Sequence, residues 1–89
     1  MSFTEESMEA QVRAILQQHS GLRETAAGIG VHESLWQLGM TSLASVEVMV
    51  ALESTFDVEF PDSWLRHATF GTIFNIMGCV TALTESAVR

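Results

Sequence analysis

The serine at position 42 is the residue of this sequence whose surroundings best support chemistry. It follows Gly39 and Thr41 in the hexapeptide Leu-Gly-Met-Thr-Ser-Leu and directly precedes an apolar-periodic segment that predicts a helix. Glycine adopts backbone angles closed to other residues, and Thr and Ser commonly cap helix N-termini. We therefore predict that Ser42 stands at the positive end of a helix dipole. A phosphate ester on its hydroxyl would meet free backbone N–H groups there.

Catalysis by Ser42 itself has less support in the sequence. A nucleophilic serine needs a base and an oxyanion hole. The chain has three scattered histidines without a catalytic or standard metal-binding spacing: His19, His32 and His67. We therefore predict no catalytic residue and no metal site. The lone Cys79 cannot form an internal disulfide and is interpreted as an incidental free thiol. A plain helix cap is the structural alternative for Ser42.

A second motif, Phe-Asp-Val-Glu-Phe-Pro-Asp at residues 56–62, follows the first. Together they resemble the acyl carrier protein family, in which an Asp-Ser-Leu triplet preceded by Leu-Gly-x carries a 4'-phosphopantetheine arm on its serine. The resemblance covers residues 8–83 of what we expect to be a single carrier domain, 1–89. The matching residues are Leu38, Gly39, Ser42, Leu43, Val46, Glu47, Leu52, Glu53, Phe56, Pro61 and Asp62, followed by Ala68, Thr69 and Ile73.

The resemblance implies a non-catalytic carrier and not an enzyme. It implies that a phosphopantetheinyl transferase uses coenzyme A and Mg²⁺ to place the 4'-phosphopantetheine arm covalently on Ser42. A ligase or an acyl synthase enzyme would then load the terminal thiol of the arm. A thioester keeps the acyl carbon electrophilic, and a long tether presents it to successive active sites at high effective concentration.

Position 41 departs from the family pattern, because Thr41 stands where the family usually has Asp. Ala44, Ser45 and Ser54 also occupy positions that are often acidic in fatty-acid carriers. The chain therefore looks like the stand-alone bacterial aminoacyl carrier proteins. These are charged with a small amino acid such as glycine or alanine by ATP-dependent ligases that resemble truncated class II aminoacyl-tRNA synthetases. A polyketide or fatty acyl carrier and an unmodified interaction module are the alternatives.

The segment from residue 42 to 56 predicts a helix with two apolar faces. One face comprises Val48, Met49, Leu52 and Phe56. The opposite face comprises Leu43, Val46 and Val50, beside Glu47, Glu53 and Ser54. So short a chain has too few other helices to cover both, so we expect the first face in the core and the second exposed for docking. The alternative is that both faces are buried.

Partner enzymes are expected to contact this exposed face and residues near it. The predicted contacts are Thr41, Leu43, Val46, Glu47, Val50 and Trp64. Tryptophan is enriched at binding hot spots, but packing is an equally good interpretation of Trp36 and Trp64.

The other elements complete an all-α fold, a small four-helix bundle of acyl-carrier-protein type with a long first loop and a short third helix. A first helix is predicted from about residue 4 to 18 by apolar residues at i, i+4, i+7 and i+8, and His19-Ser20-Gly21 ends it. The loop that follows should be tethered to the core by Leu22, Ile29, Val31, Leu35 and Leu38.

Two helices are predicted after the second motif. The short third helix starts at Pro61-Asp62, with Asp62 or Ser63 as its cap. Thr69 is predicted to cap the fourth helix. The apolar residues of that fourth helix are Phe70, Ile73, Phe74, Met77 and Val80.

Composition narrows the choice of partners and location. With 11 acidic and four basic residues the net charge is −7, which argues against nucleic-acid binding and favours transient contact with basic protein surfaces. The first 20 residues lack a secretory signal, and the most apolar tract, residues 73–83, is too short to span a bilayer. We therefore expect a soluble, cytoplasmic monomer that does not bind membranes.

Overall fold

Three α-helices form the framework of the protein. The computed structural model describes residues 5–22 and 25–87. Within those ranges the helices are α1 (Glu5–His19), α2 (Ser42–Phe56) and α3 (Ile73–Ala87), with single 3₁₀ turns at Ala26–Gly28 and Asp62–Trp64 and no β-strand. Helix α1 packs against both α2 and α3, which also contact each other. The all-α prediction is confirmed for this part of the chain.

The core lies where the apolar faces of the three helices meet. Its helix residues include the predicted face of α1, most of the predicted core face of α2, and the inner face of α3. They are Met8, Val12, Ile15, Leu16, Val48, Leu52, Phe56, Ile73, Ile76 and Val80. Because these residues recur at helical spacing, the sequence pattern alone places them on shared faces.

The long loop between α1 and α2 is fixed by side chains of α1. Arg13 donates from Nη1 to the carbonyl oxygens of Ala26 and Ile29, at 2.7 and 2.6 Å. The Gln17 side chain accepts from the Ala26 N–H at 2.8 Å. These bonds hold the 3₁₀ turn against α1 and satisfy the Ala26 N–H and the Ile29 carbonyl oxygen, which lie outside any α-helix.

The predicted apolar tethers of this loop are also confirmed. Ile29 and Leu35 are buried. The others pack half-buried against the core, namely Leu22, Val31 and Leu38.

The predicted third helix is a single 3₁₀ turn, so the count of four helices is not reproduced. The turn spans Asp62–Trp64 and begins after Pro61, without a side-chain cap. The prediction of Asp62 or Ser63 as its cap is therefore wrong. Trp64 N–H bonds to Pro61 O and Leu65 N–H to Asp62 O, which closes one turn and no more.

The last helix begins later than the sequence suggests. Thr72, not Thr69, precedes the first turn of α3, and its hydroxyl accepts from the Asn75 N–H at 3.0 Å. The carbonyl group just before Thr72 bonds to the long loop instead of to the helix, because Gly71 O accepts from Leu35 N–H at 2.8 Å. The predicted apolar stripe is also partly wrong, since 58% of Phe74 is exposed.

Candidate functional site

The turn before Ser42, which we call the attachment turn (residues 34–41), is held by its own backbone. Leu38 N–H bonds to Ser34 O, Gly39 N–H to Trp36 O, and Met40 N–H to Leu35 O. Leu35 and Met40 are buried and anchor the turn at both ends. Gly39 has φ of +112°, an angle that residues with a side chain rarely adopt. The predicted special role of this glycine is confirmed.

Ser42 is the first residue of α2, and its side chain is exposed. Thr41 is the N-cap, and its hydroxyl accepts from the Ala44 N–H at 3.0 Å. The N–H groups of Ser42 and Leu43 have no intrahelical acceptor at this end of the helix. No acidic residue lies in the first turn. The site therefore offers a reachable hydroxyl, free N–H donors and the positive end of a helix dipole.

These features fit a phosphate ester on Ser42. The ester oxygens can accept hydrogen bonds from the first-turn N–H groups, and the dipole favours their negative charge. The exposed hydroxyl leaves room for a long substituent to extend into solvent.

The outer face of α2 beside Ser42 is apolar and exposed. Leu43 is 74% exposed, Val46 52% and Val50 54%, although all three are large aliphatic residues. Val48 and Leu52 on the other face are fully buried. The predicted orientation of α2 is confirmed, and the alternative in which both faces are buried is wrong. Met49, expected in the core, is only half-buried.

The two carboxylates of α2 have different environments. Glu47 is exposed beside the outer apolar face. Glu53 is half-buried, and its Oε2 accepts from the Phe60 N–H at 2.8 Å. Glu53 thereby fixes the segment after α2, where Asp57 adopts the left-handed conformation and buried Phe60 returns to the core. Glu47 is left as the acidic group on the outer face.

The tryptophans are both half-buried, which supports packing roles for them. Trp64 packs against the core from the 3₁₀ turn. Trp36 donates from Nε1 to His67 O at 2.9 Å, and its ring stacks on the His67 ring at a centroid distance of 4.3 Å. Next to Trp64, Leu65 is 48% exposed.

Cys79 is a free, half-buried thiol on α3. Burial removes solvent from the thiolate and raises the pKa of Cys79 above its ordinary value. Within the described ranges, no three His, Cys, Asp or Glu side chains are grouped so as to hold a metal ion.

Several structural residues around the site were not recognised in the sequence. Periodicity along one helix cannot reveal Glu53 bonding seven residues ahead, or Trp36 pairing with a residue 31 positions away. The spacing of residues within the first helix likewise cannot reveal that Arg13 bonds to carbonyl oxygens 13 and 16 residues later. The exposed apolar Leu65 follows the half-buried Trp64 outside any regular helix, where no periodic pattern indicates which side chain is exposed.

Comparison with known proteins agrees with this geometry. The family model described as "Phosphopantetheine attachment site" matches residues 10–75. An aminoacyl carrier protein of Agrobacterium fabrum (strain C58 / ATCC 33970) is 36% identical over 78 residues, which cover 88% of this chain and 94% of the relative.

Solved structures give the same result. One similar chain occurs in the crystal structure of an engineered Bradyrhizobium japonicum glycine:[carrier protein] ligase complexed with carrier protein from Agrobacterium tumefaciens and ATP. It has a TM-score of 0.82 at 34% identity, with 85% of this chain and 99% of that chain covered. A solution structure of an Agrobacterium tumefaciens protein has a TM-score of 0.71 at 31% identity, with coverage of 90% and 96%. The chain therefore belongs to the phosphopantetheine attachment site family, whose members are non-catalytic carrier proteins with phosphopantetheine as their cofactor.

Proposed function

We propose that this protein carries a small amino acid as a thioester on a 4'-phosphopantetheine arm attached to Ser42, and that an ATP-dependent amino acid:carrier-protein ligase loads it. The observation that carries the proposal is the exposed Ser42 hydroxyl on the first residue of α2, within the segment that matches the family.

The residues of the chain supply the place of attachment. Gly39 turns the backbone into α2, and Thr41 caps the helix while leaving the N–H groups of Ser42 and Leu43 available. Those two donors and the helix dipole stabilise the phosphate of the arm. When attached, the arm supplies a flexible tether with a terminal thiol, to which the carried group is bound as a thioester.

Three observations favour an amino acid as the carried group. The relative from Agrobacterium fabrum is named an aminoacyl carrier protein, and a structural relative occurs in a complex with a glycine:[carrier protein] ligase. The attachment site itself has a neutral Thr41 and no acid in the first turn of α2. The partners are then a phosphopantetheinyl transferase, which needs coenzyme A and Mg²⁺, and a dedicated ligase, all in the cytoplasm.

The outer face of α2 is the surface by which these enzymes recognise the carrier. Leu43, Val46 and Val50 offer apolar contact area next to Ser42, and Glu47 offers one charge for orientation. Thr41 lies at the edge of this surface. The half-buried Trp64 contributes through the part of its ring that remains exposed.

The test begins with intact mass after treatment with a phosphopantetheinyl transferase, coenzyme A and Mg²⁺. We expect a gain of about 340 Da on the unaltered chain, the mass of the arm. Ser42→Ala should gain nothing. Ser45→Ala, three residues along the same helix, is the matched control and should still be modified. Stability of Ser42→Ala should stay within about 0.5 kcal/mol, because the side chain is exposed. Modification of Ser42→Ala would refute the assignment.

The carried group is then identified with the arm-bearing protein and a panel of donors. We expect ATP-dependent loading with glycine or alanine by a candidate ligase, and poor use by fatty-acid synthase enzymes. Efficient malonyl transfer and chain elongation without any aminoacylation would instead make the protein a general acyl carrier.

A further inference from the structure

Two pairs of aromatic rings join the long loop to residues 67–74, a later segment that comprises the chain before α3 and the first two residues of that helix. On one side of this seam His32 packs against Phe74, with ring centroids 4.8 Å apart. On the other side Trp36 stacks almost parallel on His67, with an angle of 16° between the rings. Each pair combines one residue of the loop with one residue of the later segment. Only the second pair includes a residue of the attachment turn.

The Trp36 and His67 pair, which we call the clasp, holds the attachment turn from outside. The backbone hydrogen bonds within the turn join residues of the turn to each other. They therefore fix the shape of the turn but not its orientation relative to the rest of the protein. The turn is held to the rest of the protein by the buried side chains of Leu35 and Met40 at its two ends. On its outer side it is held by the bonds from Leu35 N–H to Gly71 O and from Trp36 Nε1 to His67 O, and by the ring stack.

Close packing at Gly71 shows how tightly the clasp is fitted. A Cβ on Gly71 would lie 3.3 Å from Ala68 O and 3.5 Å from Trp36 Nε1. A Cβ at this position would therefore be tight against the Ala68 carbonyl oxygen and in van der Waals contact with the indole, so little free space separates Trp36 from this backbone.

The clasp is connected to Ser42 through few bonds. Trp36 O accepts from Gly39 N–H, and the turn ends at Thr41, which caps the helix. A displacement of the Trp36 backbone, which its held side chain restrains, would therefore shift Gly39 and the cap, and with them the direction of the Ser42 hydroxyl. Since small misplacements of a reacting group lower rates steeply, the orientation of this turn matters for attack by Ser42 on its donor.

We propose that Trp36 and His67 are positioning residues for Ser42. By locking the attachment turn to residues 67–71, they hold the serine hydroxyl in the orientation that the transferase needs. The inference rests on the proposed function, because it assumes that Ser42 is modified. It adds to that function two residues that touch neither the arm nor the docking face.

Three variants separate the parts of the clasp. Trp36→Phe keeps a ring that can stack but loses the N–H donor. His67→Ser loses the stack but keeps the backbone acceptor. Trp36→Leu loses both. The matched controls are His32→Ser and Phe74→Leu, which remove the other aromatic pair of the same seam without touching the attachment turn.

The first readout is the rate of Ser42 modification, which intact mass measures at saturating and at limiting carrier concentration. Trp36→Leu should lower kcat about tenfold or more. KM should stay within about twofold, because the outer face of α2 is unaltered. His67→Ser should lower kcat less than Trp36→Leu, and the two controls should match the unaltered chain. Rates are compared at a temperature at which melting curves show every variant folded, so that loss of folded protein does not contribute.

The second readout uses the unmodified protein and needs no enzyme. Exchange of the Met40 and Gly39 amide hydrogens should be about tenfold faster in Trp36→Leu, because local opening of the turn becomes easier. The Val48 amide, in the middle of α2, should exchange as before.

The outcomes distinguish the two proposals. If the unaltered chain gains no mass, the proposed function fails, and amide exchange alone decides whether the clasp holds the turn. If the unaltered chain is modified but Trp36→Leu and His67→Ser keep full kcat, only the positioning role fails. An equal loss of kcat in Phe74→Leu would also overturn it. If Trp36→Leu fails to fold, His67→Ser tests the proposal instead, because His67 is exposed and its loss should be tolerated. Its kcat is then compared with that of His32→Ser, and an equal kcat would overturn the positioning role.

Discussion

Two glutamates of α2 have different roles although they are the same type of residue. Glu47 and Glu53 both face away from the predicted core stripe, and both resemble the carboxylates of a docking surface. The backbone that follows α2 changes this for Glu53, because the chain folds back and brings the Phe60 N–H to its carboxylate. Glu47 has an exposed side chain and remains available to a partner.

We predict that Glu53→Ala lowers the free energy of unfolding by about 1 to 3 kcal/mol, the cost of leaving a partly buried N–H without its charged acceptor. Glu47→Ala should change it by less than about 0.5 kcal/mol, because that side chain is exposed. Urea unfolding of both variants measures the difference. Equal losses of stability in the two variants would mean that the bond from the Phe60 N–H contributes no stability. Glu53→Gln keeps an acceptor oxygen, so its loss of stability should lie between those of Glu47→Ala and Glu53→Ala.

Cys79 leads to a prediction about thiol reactivity. Burial raises the pKa of the Cys79 thiol, so the reactive thiolate is scarce at neutral pH and becomes more abundant as the pH rises. Iodoacetamide should therefore label the unmodified protein slowly at pH 7 and faster at pH 9. In the arm-bearing protein the exposed arm thiol should be labelled first. Rapid labelling of Cys79 at pH 7, read by mass, would contradict its protected environment.

Helix α2 is the element on which fold and function meet. Its inner face contributes Val48, Leu52 and Phe56 to the core, and its outer face carries Leu43, Val46 and Val50 into solvent. An apolar outer face has no folding benefit, and on a small domain it indicates contact with other proteins. The same helix therefore contributes to the core and begins at Ser42, the proposed attachment residue.

Substitutions on the two faces should have opposite profiles. Val46→Ser or Val50→Ser should leave the melting temperature almost unchanged, within about 0.5 kcal/mol of stability, but weaken binding of the transferase or ligase. Leu52→Ala or Phe56→Ala should cost about 2 to 5 kcal/mol, because each leaves a cavity in the core. Thermal melts and binding measured on the same four variants test both halves. Larger destabilisation by the Val50 change than by the Leu52 change would contradict the observed orientation of α2.

The start of α3 shows an element set by the rest of the fold. Residues 67–71 supply acceptors to the long loop, from His67 O to Trp36 and from Gly71 O to Leu35. Their backbone therefore cannot join the helix, although the apolar spacing would allow an earlier start. Val31 O then accepts from the Phe74 N–H, one of the free donors at the beginning of α3.

At the scale of the whole molecule, the net charge of −7 is not concentrated on the docking face. Glu33 is bound to the Gly30 N–H, Glu9 to Arg13 and Glu53 to Phe60, so these carboxylates have partners within the chain. The outer face of α2 has Glu47 beside its apolar residues. Overall acidity can speed encounters with basic partners, but we expect the contact itself to be mainly apolar.

We therefore predict that binding of the arm-bearing protein to its ligase depends only modestly on salt. Between about 0.05 M and about 0.5 M salt the Kd should rise less than about fivefold, because one exposed ion pair contributes at most about 1 kcal/mol. Titration calorimetry at several salt concentrations measures this, and Glu47→Gln should remove most of the remaining dependence. A rise of several hundredfold would mean that many charges meet at the interface.

The sequence by itself determined the features that depend on neighbours along the chain. Helical periodicity gave the bounds and two faces of α2, and Gly39 and Thr41 gave the turn and the cap at Ser42, because spacing, φ and capping act over a few residues. The motifs around Ser42 and at residues 56–62 were enough to indicate the family.

Only the tertiary structure decided the features that join distant segments. The Glu53 carboxylate accepts from the Phe60 N–H, α3 begins at Ile73, and the Trp36 ring stacks on His67. Each of these features depends on which groups the fold brings together. Hydrogen bonds of this kind satisfy backbone groups outside helices, and no local pattern specifies their partners. The position of Ser42 at the start of α2 could thus be predicted from the sequence, whereas the contacts that hold the preceding turn could be seen only in three dimensions.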